Sequence, residues 1–197
     1  MKPGATDVRG DRFSDARDDS PCLLACAKRE GAPSLTGDSV MMLRAFLPSD
    51  AEPLAWVYRD AVRGLGVQAY TPAQVEAWAL YPDDLAEFGG RLARGVTLVA
   101  EVAGRVVAFG QLEPDDHLAF LYCAAAHARR GVATAIYAAL EAQAVSRGVA
   151  AIHTEASRIS RPFFEKQGYT LVEIERVDRF GVEFERFRMR KGLGGGR

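Results

Sequence analysis

The sequence predicts a single α/β domain built on a mixed, mainly antiparallel sheet. Three observations carry this. The chain has 197 residues, the size of one domain. Its apolar period changes from about 3.6 to 2 at Val96. After Cys123, helical and alternating segments take turns before a closing hairpin.

Residues 1–40 hold one aromatic, Phe13, among Gly, Pro, Ser and Asp, and read as a disordered leader. Met41-Met42 stands directly before the first strand, where an internal start of translation would place the beginning of the chain. The domain spans 41–191 and a flexible tail 192–197. Residues 43–46 form a short strand, and Pro48-Ser49-Asp50 turns the chain into a first helix with apolar Leu54, Val57, Tyr58, Ala61 and Val62. Thr71 caps a second helix opened by Pro72 and running through Trp78. A third helical piece covers 82–92. Strands follow at 96–101, 106–112 and 117–123, turning at Ala103-Gly104-Arg105 and Pro114-Asp115-Asp116. A helix covers 131–147, with Val132, Ile136, Leu140 and Ala144 on one face, and Gly148 stops it. Strand 150–154, helix 159–167 and the hairpin 169–176 and 182–190 complete the order. In the last strand Val182 and Phe184 have one parity and Phe187 and Met189 the other, which predicts a bulge near Glu185 and Arg186.

Composition excludes several classes. Lys and Arg number 25 against 26 Asp and Glu, a net charge of −1, so no basic field for nucleic acid is expected. Hydrophobic residues make up 48%, enough for a substantial core. No apolar run approaches the ~18 residues of a membrane span, and the first twenty residues are dense in charge, which predicts neither membrane contact nor secretion but a cytoplasmic location. Cys22, Cys26 and Cys123 do not form a disulfide framework, and Cys22 and Cys26 lack a second His/Cys pair, so no metal site is expected.

The chemistry concentrates between 121 and 169. His127-Ala128-Arg129-Arg130-Gly131-Val132-Ala133-Thr134 joins a strand to a helix through a glycine. Such a junction presents backbone N–H groups and a helix dipole to a phosphate or pyrophosphate, and Arg129 and Arg130 can pair with its oxygens. The plain alternative is a basic, solvent-facing helix start.

The segment Ala128-Arg129-Arg130-Gly131-Val132-Ala133 resembles the Gln/Arg-x-x-Gly-x-Gly/Ala hallmark of the GCN5-related N-acetyltransferase superfamily, with Ala128 replacing the first residue. Phe163-Phe164-Glu165-Lys166-Gln167-Gly168-Tyr169 is similar to a second hallmark, aromatic-Tyr-Glu-Lys-x-Gly-Phe. The resemblance implies that the fourth and fifth strands splay apart and that the pantetheine arm of acetyl-coenzyme A lies in the gap. Leu121, Tyr122 and Cys123 would meet pantetheine. Arg129, Arg130, Gly131, Val132, Ala133 and Thr134 would hold the pyrophosphate, and Ser157, Phe163 and Lys166 would lie near the ends of the cofactor.

Acetyl transfer needs a deprotonated amine, a stabilised oxyanion and often a proton for the departing thiolate. The family's tyrosine donor corresponds to Phe164, which cannot donate. Tyr122 is the replacement donor considered, with an aromatic core role as its alternative. Glu155, placed just after the fifth strand, is the candidate base; its alternative is pairing with Arg158 or Arg161. His117 and His153 titrate near neutrality in principle but are equally readable as packing residues, and His127 lies beside the phosphate loop. Cys123 has no sequence-local activating partner, so direct attack is expected rather than an acetyl-cysteine.

The acceptor side is implied by the resemblance to lie among the first helices and the closing hairpin, where Trp56, Tyr58, Tyr70, Trp78 and Tyr81 offer aromatic surface and Asp60 and Glu76 negative charge. Arg176, Arg179, Arg186, Arg188 and Arg190 would favour an anionic group on the substrate or, read plainly, lace the hairpin to Glu173, Glu175, Glu183 and Glu185. The expected activity is acetyl transfer to an amino group of a small molecule. A non-catalytic acyl-coenzyme A sensor and a protein N-acetyltransferase are the alternatives, and pairing of the closing hairpin across a two-fold axis would make a homodimer.

Overall fold

A computed structural model describes residues 41–194. The leader and its two cysteines lie outside the described residues, as do residues 195–197. The elements are β1 (Met41–Ala45), α1 (Ala51–Leu65), α2 (Pro72–Ala79), α3 (Leu85–Leu92), β2 (Val96–Val102), β3 (Arg105–Leu112), β4 (Leu118–Cys123), α4 (Val132–Ser146), β5 (Ala151–Ala156), α5 (Arg161–Lys166), β6 (Thr170–Arg179) and β7 (Val182–Gly192). This is the expected order. The third helix starts later than its apolar pattern suggests because Asp84 caps it, its Oδ1 accepting from Glu87 N–H at 2.9 Å. Thr71 and Gln74 close a reciprocal capping box on α2, with Gln74 N–H to Thr71 Oγ1 at 3.3 Å and Thr71 N–H to Gln74 Oε1 at 3.0 Å.

The strands form two antiparallel sheets, β1-β2-β3-β4 and β5-β7-β6. Two apolar cores lie on opposite faces. One joins α1, α2 and α3 to Val99, Phe109, Phe120, Tyr122 and Phe184. The other joins α4 and α5 to Ala108, Leu121, Ile152, Phe187 and Met189. The bulge expected near Glu185 and Arg186 is absent from β7, which pairs residue by residue with β6 from Arg179↔Val182 through Arg176↔Glu185 and Glu175↔Arg186 to Glu173↔Arg188. Phe184 is buried in the first core and Phe187 and Met189 in the second, so both parities find apolar partners without a break in alternation. The irregularity lies in β6 instead, where Leu171 and Glu173 face Met189 and Arg188 and leave Val172 out of register. Gly192, read as the start of the tail, still pairs with Ala151, and Leu193 N–H donates to Ala150 C=O at 2.8 Å.

Gly110 sets the approach of α4 to the first sheet. A Cβ there would stand 2.7 Å from Ile136 Cγ2, 3.0 Å from Leu140 Cδ1 and 3.1 Å from Leu121 Cδ1. The missing side chain lets the helix lie directly on β3 and β4, which places its N-terminus at the end of β4.

Candidate active site

Leu118 pairs with Leu112 and Phe120 with Gln111, so Ala119 is an extra residue in β4. This bulge resets the alternation: Leu121 and Cys123 face the core under α4, and Phe120 and Tyr122 face the core under α1 to α3. β4 and β5 are the facing edges of the two sheets, and one isolated parallel bridge, His117↔His153, joins them. Around it, His153 N–H donates to Asp116 C=O and Thr154 Oγ1 to Leu118 C=O, both at 2.9 Å. These ties sit at the N-terminal ends. Toward Cys123 and Ala156 the strands belong to separate ladders.

The open end leads to residues 124–131. Arg129 has φ +65° and Gly131 φ +84°, an alternation of hand that turns successive backbone N–H groups toward one point. Gly131 is the N-cap of α4 and brings no side-chain cap, and the first amides of a helix lack intrahelical partners. A Cβ at Gly131 would meet nothing within 4 Å, so the glycine is required by its left-handed backbone rather than by crowding. The loop is tied to α1: Ala125 N–H donates to Asp60 Oδ2 at 2.7 Å, and a Cβ at Gly64 would stand 2.6 Å from Ala125 Cβ. Asp60 therefore braces this loop. Arg129 Nη2 reaches Gln68 Oε1 at 3.3 Å, and Arg130 is exposed. Burial pushes the His127 imidazole below its usual value, and Arg130 adds to that against Asp60.

The other site candidates fall into distinct surroundings. Leu121 and Cys123 are buried, and Cys123 Sγ lies 3.7 Å from Ala124 C=O. Tyr122 is fully buried, stacked on Tyr58 at 4.3 Å and Phe109 at 5.6 Å between ring centroids. Val132 and Ala133 are buried in the first turn of α4 and Thr134 is half-buried. Ser157 is buried, its Oγ 3.0 Å from Ser160 Oγ and accepting from Ser160 N–H at 3.0 Å, so it also builds the turn into α5. Phe163 and Phe164 are buried against Tyr137, and Lys166 is exposed at the end of α5.

Glu155 lies inside β5 rather than after it, because the strand runs to Ala156. Its partner is neither arginine considered from sequence: Arg158 pairs with Glu185 at 3.4 Å and Arg161 with Glu165 at 2.8 Å. Instead Glu155 Oε2 lies 2.7 Å from His117 Nε2, both side chains largely buried. Burial alone would raise the Glu155 carboxyl. The hydrogen bond and charge of His117, with Arg186 and His153 behind them, outweigh burial and hold it below the usual carboxylate range. His117 Nδ1 lies 3.2 Å from Glu113 C=O, and its ring stacks on His153 at 4.6 Å. Burial and the neighbouring His117 push His153 down. The ligand atoms of His117, His153 and Glu155 all lie within 4.8 Å of one another, the one such group among the described residues.

Arg91 was not singled out from sequence. It sits on α3 with its guanidinium 5.7 Å from the centre of the Phe120 ring and 4.0 Å from Glu113. Its position on a helix otherwise read for its apolar face gave no signal.

The chain matches the family model of the acetyltransferase (GNAT) domain over residues 67–191. It is 29% identical over 151 residues to YafP of Escherichia coli strain K12, an uncharacterized N-acetyltransferase, a match that covers 76% of this chain and 95% of that protein. Among solved structures, it is 34% identical to a GCN5-related N-acetyltransferase of Rhodopseudomonas palustris also named as a class-II aminotransferase, with a TM-score of 0.75 over 79% of this chain and 99% of the other. It shares its fold with the PaiA N-acetyltransferase of Thermoplasma acidophilum in complex with coenzyme A, at 16% identity and a TM-score of 0.63 over 78% of this chain and 99% of the other.

Proposed function

Because the chain belongs to the GNAT family of acetyltransferases, we propose that it moves acetyl from acetyl-coenzyme A to an amino group of a small molecule by direct attack. The observation that carries this reading is the parting of β4 from β5 toward an α4 N-terminus whose approach is left-handed at Arg129 and Gly131. Those residues fit the co-substrate: a concave run of amides and two arginines for a pyrophosphate, and strand edges for an extended arm.

Acetyl-coenzyme A supplies an activated acyl group and a sulfur leaving group. In this reading Arg129 to Thr134 hold the pyrophosphate, and the strand Leu121 to Cys123 lines the arm. Ser157, Phe163 and Lys166 flank its two ends. Glu155, kept ionised by His117, takes the proton that the acceptor ammonium must lose before nitrogen can attack. Tyr122 is the proposed donor to the departing sulfur. Direct attack is favoured by the surroundings of Cys123, whose thiol is buried and faces a backbone carbonyl. No helix among the described residues is long and apolar enough to cross a membrane, and a cytoplasmic site of action accompanies this reading. A second copy pairing along the edge strand β6, which exposes Leu171, Val172 and Ile174, is the proposed assembly, checked by sedimentation.

The test is titration of the full chain with coenzyme A and acetyl-coenzyme A, then thiol release over a panel of small amines and basic peptides. Micromolar binding, about −8 kcal/mol, with turnover of a small amine supports the reading. Turnover of peptides alone moves the acceptor to proteins, and binding without turnover of any amine overturns the catalytic assignment.

A further inference from the structure

Three arginines of the closing hairpin are laced to glutamates, and Arg190, opposite Thr170, is exposed. Arg176 pairs with Glu183 at 3.7 Å, Arg186 with Glu175 at 2.6 Å and Arg188 with Glu173 at 2.9 Å, which is cross-strand lacing. Arg179 differs. It stands at the end of β6 opposite Val182, so the ladder gives it no acid, and its Nε and Nη2 are buried without a hydrogen bond among the described residues. Buried donors of this kind call for an acceptor.

Arg179 lines a cavity of about 290 Å³ together with Tyr81, Glu87, Phe88, Asp178 and Phe180. The two acids do not serve it: Asp178 Oδ1 accepts from Gly181 N–H at 3.0 Å, and Glu87 is exposed. Positive charge accumulates nearby. Burial, then Arg94 and Arg179, push the Arg91 guanidinium down to about 10 against the opposing charge of Glu113. The cavity wall also continues toward the proposed donor, since the Tyr81 ring lies 5.5 Å from Tyr58, which stacks on Tyr122 at 4.3 Å.

Resting on the acetyltransferase reading above, we propose that the acceptor is an amine that also carries an oxyanion, a carboxylate or a phosphate, which Arg179 binds in the cavity walled by Tyr81, Phe88 and Phe180. A guanidinium offers two parallel donors to either group, and the buried Phe88 and half-buried Tyr81 shield one side of it from solvent. Amino acids and aminoalkyl phosphates are the two sources of this chemistry.

The experiment uses the full chain saturated with coenzyme A, so that the phosphate loop is occupied. Melting is followed with sodium acetate or sodium phosphate against sodium chloride at equal ionic strength, for the native protein and Arg179→Gln. Expected is a rise in Tm with acetate or phosphate that Arg179→Gln abolishes, with coenzyme A affinity within twofold of native. A rise that survives the substitution, or none with either anion, overturns the proposal. Thiol release is then compared for L-phenylalanine against 2-phenylethylamine, and O-phosphoethanolamine against ethanolamine. At least a tenfold higher kcat/KM for one oxyanion-bearing member, lost in Arg179→Gln, is expected and names the source; preference for the partner without the oxyanion in every pair turned over contradicts it. Failure to bind coenzyme A would instead count against the acetyltransferase reading.

Discussion

His117 Nε2 meets Glu155 Oε2 at 2.7 Å where β4 and β5 begin to part. The pair spans 38 residues of sequence and brings a carboxylate beside the isolated bridge that joins the two sheets. In the proposed mechanism Glu155→Gln keeps the shape and removes the base. kcat should fall by about 10²–10⁴-fold with coenzyme A affinity unchanged, as steady-state kinetics and calorimetry will read.

The same pair makes stability depend on pH in a defined direction. The folded Glu155 carboxyl lies below its ordinary value, so its contribution is complete above the unfolded value of about 4.3 and is lost as pH falls through the folded one. The difference in urea midpoint between native protein and Glu155→Gln should therefore be largest near neutrality and shrink below pH 4. A difference that grows on acidification contradicts the assignment.

Gly131→Ala places a Cβ in open space but on a backbone with φ +84°. Left-handed geometry costs a non-glycine residue about 1–2 kcal/mol. The loop can escape that cost by turning its amides away, so coenzyme A affinity should drop by about tenfold while Tm changes little. Calorimetry on the purified variant checks it.

Gly110→Ala acts from beneath. The new Cβ would crowd Ile136, Leu140 and Leu121 at 2.7–3.1 Å, and overpacking of this kind costs about 1–3 kcal/mol. Since Ile136 and Leu140 belong to α4, relief comes by lifting the helix that presents the loop. Chemical denaturation should show the loss, and KM for acetyl-coenzyme A should rise with it.

Direct attack leaves no acyl-enzyme. Incubating the protein with radiolabelled acetyl-coenzyme A and no acceptor should leave Cys123 unlabelled in peptide maps, and initial rates should give intersecting rather than parallel double-reciprocal lines. Stoichiometric label on Cys123 would replace the direct mechanism.

What could be read from sequence was local. The junction 127–134 and the segment 163–169 are contiguous, so their glycines and arginines announced a strand-to-helix turn and a helix stop before any contact was known. The remainder is tertiary. Parity within β7 was visible, but that each parity faces a different core depends on α1 and α2, over 100 residues away, on one face and on α4 and α5 on the other, and a bulge was inferred where two layers were the answer. Asp60 was read for its charge and proves to hold Ala125. Arg179 looked like its neighbours in composition; its register opposite Val182 together with its buried, unbonded Nε and Nη2 sets it apart, since Arg190, opposite Thr170, is exposed.

Two sheets that meet at one rung differ mechanically from one continuous sheet. A strand pair stitched along its length opens only by unzipping, with each broken bond exposing the next. Here the lateral cohesion comes instead from α4 and the side chains that bridge beneath both edges, Leu121 and Cys123 on one side and Ile152 and Ala156 on the other. Because the His117–His153 bridge is the rung the two ladders share, widening at the far end would break no ladder hydrogen bond. In the proposed reading, entry of a long, narrow guest then requires no unfolding, and amide exchange in β4 and β5 should quicken at their C-terminal ends while β2, β3 and β7 stay protected.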